Sequence, residues 1–169
     1  MIDMAEEEFY EAPTFEEVNS KIKAKFGDKV TFRTSSKKNV KSINEKRRIF
    51  LSTDKGTIHE LCQYIHDVLN FEQCTTVCAV DYVEYVQVVY FITNYYTGIM
   101  IEITVDITDD DLTIPSVALI WEGANWHERE TYELFGIKFI GHPKLERLLT
   151  PQDYEFYPFR KSYKLRGSE

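Results

Sequence analysis

Side chains that could do chemistry are densest in the run Trp121-Glu122-Gly123-Ala124-Asn125-Trp126-His127-Glu128-Arg129-Glu130-Thr131-Tyr132-Glu133-Leu134-Phe135-Gly136-Ile137. Within a helix, His127 and Glu130 share a face at i, i+3, which with Glu128 is raw material for a metal site or for acid/base work. The spacing completes neither. The zinc-protease pattern His-Glu-x-x-His needs a second histidine where Thr131 stands, and His142 lies beyond the helix. Paired hydrolytic carboxylates need a pocket and two separated environments, and the sequence shows neither. A standalone acid/base or metal enzyme built on His127, Glu128 and Glu130 stays as the alternative reading.

The other candidates are weaker. Cys62, Cys74 and Cys78 are an odd set with no fourth soft ligand at metal spacing, so a disulfide framework, a zinc site and an iron–sulfur site are all disfavoured. Cys74 and Cys78 fall in a strand at an even offset, on one face but about 13 Å apart, and read as buried small hydrophobes. His59 and His66 share a helical face two turns apart, too far for one metal, and read as exposed. Asp109-Asp110-Asp111 reads as a solvated turn, since a calcium site needs more oxygen ligands at ordered spacing. Neither Gly-x-Gly-x-x-Gly nor a phosphate-binding loop is present.

The elements that would position these residues are well signalled. Thr14 with Glu17 makes a capping box, Phe15, Val18, Ile22 and Phe26 recur at helical spacing, and Gly27 stops the helix. Short strands follow near Val30–Arg33 and Arg47–Ser52. A second helix from Thr57 to Leu69 carries one apolar stripe. Thr75–Val83, Tyr85–Thr93 and Gly98–Ile107 read as strands, with Asn94-Tyr95-Tyr96-Thr97-Gly98 turning between the last two, and short connections imply an antiparallel meander. The fold class is α+β: a two-layer domain with an antiparallel or mixed sheet, two or three helices on one face, and an extended C-terminal tail. Residues 1–112 make the α+β domain. Residues 113–169 make one structural unit of short helices and a docking tail with no strand pattern. There Asn125 caps a helix with Glu128 as reciprocal partner, Arg129 pairs with Glu133, and Gly136 ends it. Pro143 and Pro151 open short helices, with Thr150 and Asp153 repeating the capping logic.

With 43% hydrophobic residues the chain suffices for one packed domain. No apolar run approaches the roughly 20 residues that span a bilayer. The acidic start, Met1 to Glu8, is neither a secretory signal nor a transit peptide, so a cytoplasmic location is expected. The net charge of −8 argues against nucleic-acid binding. From Lys138 to Arg166, however, seven Lys/Arg stand against three Asp/Glu. On charge alone, a tail that docks on something acidic and a solvated tail are equal readings. The aromatics Tyr154, Phe156, Tyr157 and Phe159 favour docking, because aromatics with arginine are what interface cores prefer.

Glu128-Arg129-Glu130-x-x-Glu133-Leu134-Phe135-Gly136-Ile137, continued by Gly141-His142-Pro143-x-Leu145-x-Arg147-x-Leu149-x-Pro151-x-Asp153, resembles the signature of the thirty-kilodalton subunit family of complex I-like NADH:quinone oxidoreductases. Pro158-x-Arg160-Lys161-x-Tyr163 resembles that family's C-terminal motif. Ala79-Val80-Asp81-Tyr82 and Val88-Val89-Tyr90 resemble its central strands, and Pro115-Ser116-Val117 with Ala124-Asn125-Trp126 its approach to the signature. Some tail positions depart from the pattern. Tyr154 stands for tryptophan, Phe156 and Tyr157 for glycine and often histidine, Ser162 for aspartate and Lys164 for proline.

The resemblance implies a non-catalytic scaffold in the peripheral arm of a complex I-like, ion-translocating oxidoreductase. Such a complex passes electrons from F420H2 or NADH through iron–sulfur clusters to a quinone-type acceptor. The clusters and flavin belong to partner subunits, with no cofactor in this chain. Expected partners are the cluster-bearing and quinone-pocket subunits, with the membrane reached only through the complex, at its cytoplasmic face. The tail departures and the length, with no fused second subunit, point to the F420H2 dehydrogenase branch or the equivalent component of a membrane-bound hydrogenase. The expected interface residues are Arg129, Glu130, His142, Arg147, Tyr154, Phe156, Tyr157, Phe159, Arg160, Lys161 and Tyr163. Arg129, Arg147, Arg160 and Lys161 are expected to form desolvated ion pairs, within the chain or across its interfaces.

Overall fold

The computed structural model describes residues 13–37 and 46–164. Helix α1 spans Phe15–Phe26, with the capping box formed as expected: Glu17 N–H donates to Thr14 Oγ1 at 3.3 Å, and Thr14 N–H donates to the Glu17 carboxylate at 2.9 Å. Its stripe of Val18, Ile22 and Phe26 is buried. A 3-10 turn, Gly27–Lys29, feeds strand β1, Val30–Lys37, which pairs antiparallel with β2, Lys46–Thr53. The Asp54 carboxylate takes the N–H groups of Gly56 and Thr57, tightening the turn into helix α2, Ile58–Asp67. Strands β3 (Gln73–Asp81), β4 (Val86–Thr93) and β5 (Met100–Ile107) follow. The turn between β4 and β5 is built on Asn94, whose buried Oδ1 accepts from the N–H groups of Tyr96 and Thr97.

The strand order is β1-β2-β5-β4-β3. The antiparallel meander holds for β3-β4-β5, but β2 and β5 are parallel, with Ile49 opposite Ile101 and Leu51 opposite Ile103. After β2 the chain passes through α2 to the far edge and lays down β3. Two hairpins then bring it back to the middle, so β5 arrives beside β2 in the same direction. The sheet is therefore mixed. Helices α1 and α2 cover one face, where Ile49, Leu51, Tyr90, Ile92, Ile101 and Ile103 meet Val18, Ile22, Ile58, Leu61 and Ile65 in one core.

Several expectations are corrected. A β-bulge between Cys74 and Thr76 shifts the alternation by one, so Cys74 faces the core with Val77 while Cys78 faces the other way, half-buried. The stretch after Asp111 contains strands: β6 (Thr113–Pro115) and β7 (Lys138–Ile140) pair in parallel. Each is only three residues long and flanked by turns, too brief to show a period. Pro143 and Pro151 lie in turns rather than opening helices. Helix α3 runs from Glu122 to Phe135, so it starts three residues before Asn125, with Trp121 in extended conformation at the N-cap. Trp121 wins that position through packing: it is buried, and its Nε1–H donates to the Phe71 carbonyl at 2.9 Å. Helix α3 packs on β3, where Thr131 Oγ1 donates to the Val77 carbonyl at 3.2 Å. It covers a sheet edge that would otherwise present unpaired backbone groups.

Candidate functional site

The stripe of α3 that faces the body is Ala124, Glu128, Thr131 and Phe135, at i, i+4, i+7 and i+11. One ionisable group thus sits in an otherwise core-like row. Glu128 is fully buried. Its carboxylate accepts from Ser116 Oγ at 2.5 Å and from Val117 N–H at 2.7 Å, so it fastens the turn after β6 to the helix instead of capping α3. Burial lifts its carboxyl to about 7, although both donors pull the other way. His142 Nε2 is 4.0 Å from the nearer Glu128 oxygen. His142 donates from Nε2 to the Asn125 carbonyl at 3.2 Å and accepts Lys144 N–H at Nδ1 at 3.0 Å. Those partners require the neutral ring, and burial accordingly pushes the imidazole below its usual value.

Glu133, five residues on, faces a different side and is also fully buried. The expected pair with Arg129 does not form. Its carboxylate instead collects three successive backbone N–H groups, from Leu148, Leu149 and Thr150, with the Thr150 bond at 3.1 Å. Arg129 donates to the carbonyls of Glu146 at 3.0 Å and Arg147 at 3.3 Å, and its guanidinium lies 5.1 Å over the exposed Trp126 ring. One helix face therefore grips residues 146–150 through an anion on N–H groups and a cation on carbonyls. Oppositely charged neighbours on a helix forgo each other because a returning loop needs both kinds of partner.

Arg147 completes the strap. Its buried guanidinium donates to the Glu133 carbonyl, to Thr150 Oγ1 at 3.0 Å and to the Phe156 carbonyl at 3.3 Å, and it stacks near the rings of Tyr154 and Tyr157. Gly136 ends α3 with φ +83°, the left-handed region that favours glycine. The Tyr157 ring occupies the space beside it, 3.0 Å from where a Cβ would stand. Phe159 N–H then bonds the Leu134 carbonyl at 3.0 Å, so the tail itself satisfies the last turn of α3. Arg160 Nε meets Asp81 Oδ2 at 3.1 Å, Nη2 binds Asp109, and Lys161 N–H donates to Asp81 at 3.0 Å. Of the four cations expected in ion pairs, Arg160 alone has a carboxylate partner among the described residues.

The predicted interface residues thus divide. Arg129, His142, Arg147 and Arg160 brace the chain against itself. Phe156 and Phe159 are 58% and 59% exposed, Lys161 is exposed, and Tyr154, Tyr157 and Tyr163 are half-buried. Glu130 is half-buried on the flank of α3 towards Cys78. His127, Glu128 and Glu130 do not converge on a common point. Among the described residues no three His, Cys, Asp or Glu side chains gather as a metal site. Burial pushes Cys74 up to about 12 and Cys62 well above its usual value, which suppresses the thiolates that nucleophilic or metal chemistry needs. Sequence reasoning missed Asp81, Asp109 and Ser116. Asp81 meets Lys161 across 80 residues, and no local pattern reports such a pairing. For Glu128 the signal was present, as the charged member of a buried helical stripe.

Fold and strap together define a class: a two-layer α+β domain whose C-terminal stretch is pinned to one helix by buried ionisable side chains. Residues 51–169 match the family described as the respiratory-chain NADH dehydrogenase 30-kDa subunit. The corresponding component of the NADH-quinone oxidoreductase of Chlorobium phaeobacteroides is 37% identical over 150 residues, 86% of each chain. Its counterpart from Salinispora arenicola is 38% identical over 75% of this chain, which spans only 54% of that longer protein. A chain in the structure of the membrane-bound sulfane sulfur reductase, an archaeal respiratory membrane complex, superposes with a TM-score of 0.73 at 23% identity, covering 89% of this chain and 86% of the other. The chain belongs to the 30-kDa subunit family of complex I. No helix among the described residues is long and apolar enough to cross a membrane.

Proposed function

We propose that this chain is a non-catalytic scaffold in the peripheral arm of a complex I-like, ion-translocating oxidoreductase. Residues 113–169 act as its docking unit on the subunits that hold the iron–sulfur clusters and line the quinone-type pocket. The observation that carries this is how the signature side chains are spent. Glu128, Glu133, Arg129 and Arg147 are each committed to this chain's own backbone, leaving no acid, base or nucleophile among them aimed at a substrate. The tail also turns aromatic side chains outward: Phe156 and Phe159 are exposed, beside the half-buried Tyr154 and Tyr163. Arg129, His142, Arg147 and Arg160 shape the surface, and Glu130, Tyr154, Phe156, Tyr157, Phe159, Lys161 and Tyr163 present it. In this reading the chain holds no cofactor, flavin and clusters sit in its partners, and it meets the membrane only through them, at the cytoplasmic face.

Electrons enter the complex from F420H2 or NADH. The tail departures at Tyr154, Phe156, Tyr157, Ser162 and Lys164 fit the F420H2 branch, and the same scaffold fits a membrane-bound hydrogenase. The test is a comparison of the chain alone with the complex drawn from membranes by a tag on the chain. The complex is expected to carry iron and flavin and to oxidise one of these donors. The chain alone is expected to show neither metal nor turnover; metal with turnover in the isolated chain would establish the enzyme reading instead.

A further inference from the structure

Among the described residues, Tyr154, Phe156, Ser162, Tyr163 and Lys164 line a cleft of about 530 Å³ on the C-terminal stretch. Three of these are rings at mutual angles. Tyr154 and Phe156 meet edge-on at 5.6 Å, Phe156 and Tyr163 at 6.3 Å, and the hydroxyls of Tyr154 and Tyr163 lie 3.0 Å apart. The cleft has firm backing. Arg147 lies behind Tyr154 at 5.6 Å, held by its own acceptors, and the far side is tied down by Phe159 N–H on Leu134 and Arg160 on Asp81. Such preorganisation lowers the ordering cost of binding. Phe156 nonetheless stays more than half exposed.

A box of aromatic rings has two usual occupants, a cation held by the ring faces or an apolar side chain. Charge decides between them. Among the described residues the only ionised group in the lining is Lys164, and the guanidinium of Arg147 stands behind one wall. Two positive charges within reach of the rings oppose a cation. They favour an occupant that brings an apolar side chain into the box and a carboxylate to Lys164.

Resting on the scaffold reading above, we propose that this cleft receives an acidic segment of a partner subunit, one large apolar side chain flanked by aspartate or glutamate. Phe156 and Tyr163 grip the apolar group, and Lys164 neutralises the carboxylate at the rim. A burial of this kind at a charged rim is the usual anatomy of a recognition site with an apolar centre.

The experiment places a benzophenone amino acid at position 156 of the full chain, purifies the complex from its own membranes through a tag on that chain, and irradiates it. The cross-linked peptide is then sequenced. The expected product joins position 156 to a partner segment with at least two acidic residues close to an apolar one, and Lys164→Glu lowers its yield about tenfold. A cross-link to a basic or uncharged segment, to lipid, or to nothing while partner subunits still co-purify overturns the cleft proposal and leaves the scaffold reading standing. A chain that purifies alone removes both.

Discussion

At the scale of the residue, Glu128 shows how one carboxylate can hold a turn at a thermodynamic cost. It satisfies Ser116 and Val117, yet it is buried without a cation in contact, and its carboxyl sits near 7 against an ordinary value of 4.5. The folded state therefore binds this proton more tightly than the unfolded state. The resulting stability is fully present below pH 4.5 and is lost as pH rises through about 7. The loss is on the order of 3 kcal/mol. Chemical denaturation of wild type and Glu128→Gln between pH 5 and 8 checks this: wild type should gain stability relative to the variant as pH falls, and parallel curves would refute it. His142 works in the opposite sense. Its depressed value means that acid favours the unfolded chain below the ordinary histidine range.

Arg147 belongs to the same scale. Its planar fork reaches three acceptors on different segments while lying against two tyrosines, which an ammonium on a flexible stem does not reproduce. Arg147→Lys should destabilise the chain by about 2–3 kcal/mol, read as a drop in the denaturation midpoint, with a larger loss for alanine. Glu133→Ala should cost a similar amount or more, because it leaves three N–H groups without their acceptor.

At the scale of the element, α3 and the tail stabilise each other. The tail's Phe159 N–H occupies a carbonyl of the helix end, and the Tyr157 ring packs where a side chain at Gly136 would go. Gly136→Ala combines an unfavourable positive φ with that contact. It should lower the melting temperature by several degrees, on the order of 2 kcal/mol, and reduce amide-exchange protection of Phe159 along with that of the last turn of α3. Unchanged protection at Phe159 would show that the two are not coupled.

What was legible here follows the range of the interactions. The capping box of α1, the stripe of α2 and the three central strands are written in residues a few positions apart, and they stand where the sequence places them. The signature motif also declared the family. The start of α3 was misread because Asn125 is a good local cap, whereas Trp121 is fixed by Phe71, fifty residues away. The strands β6 and β7 stabilise only as a pair separated by a whole helix. The partners of Glu133 and Arg160 come from returning loops, which no periodicity reports.

At the scale of the whole molecule, charge is divided between an acidic body and a basic, aromatic tail, and the buried ionisable groups hold that tail in one shape. In the role proposed above, the tail is a docking surface rather than a decoration of the fold. Removing every residue after Thr150 from a tagged chain, and weighing the partner subunits that co-purify against those held by the full chain, tests this most directly. Circular dichroism on both chains shows whether the α+β body is retained. Partner recovery is expected to fall at least about tenfold on the truncated chain. Complete assembly on that chain, with its body folded, would contradict the docking role.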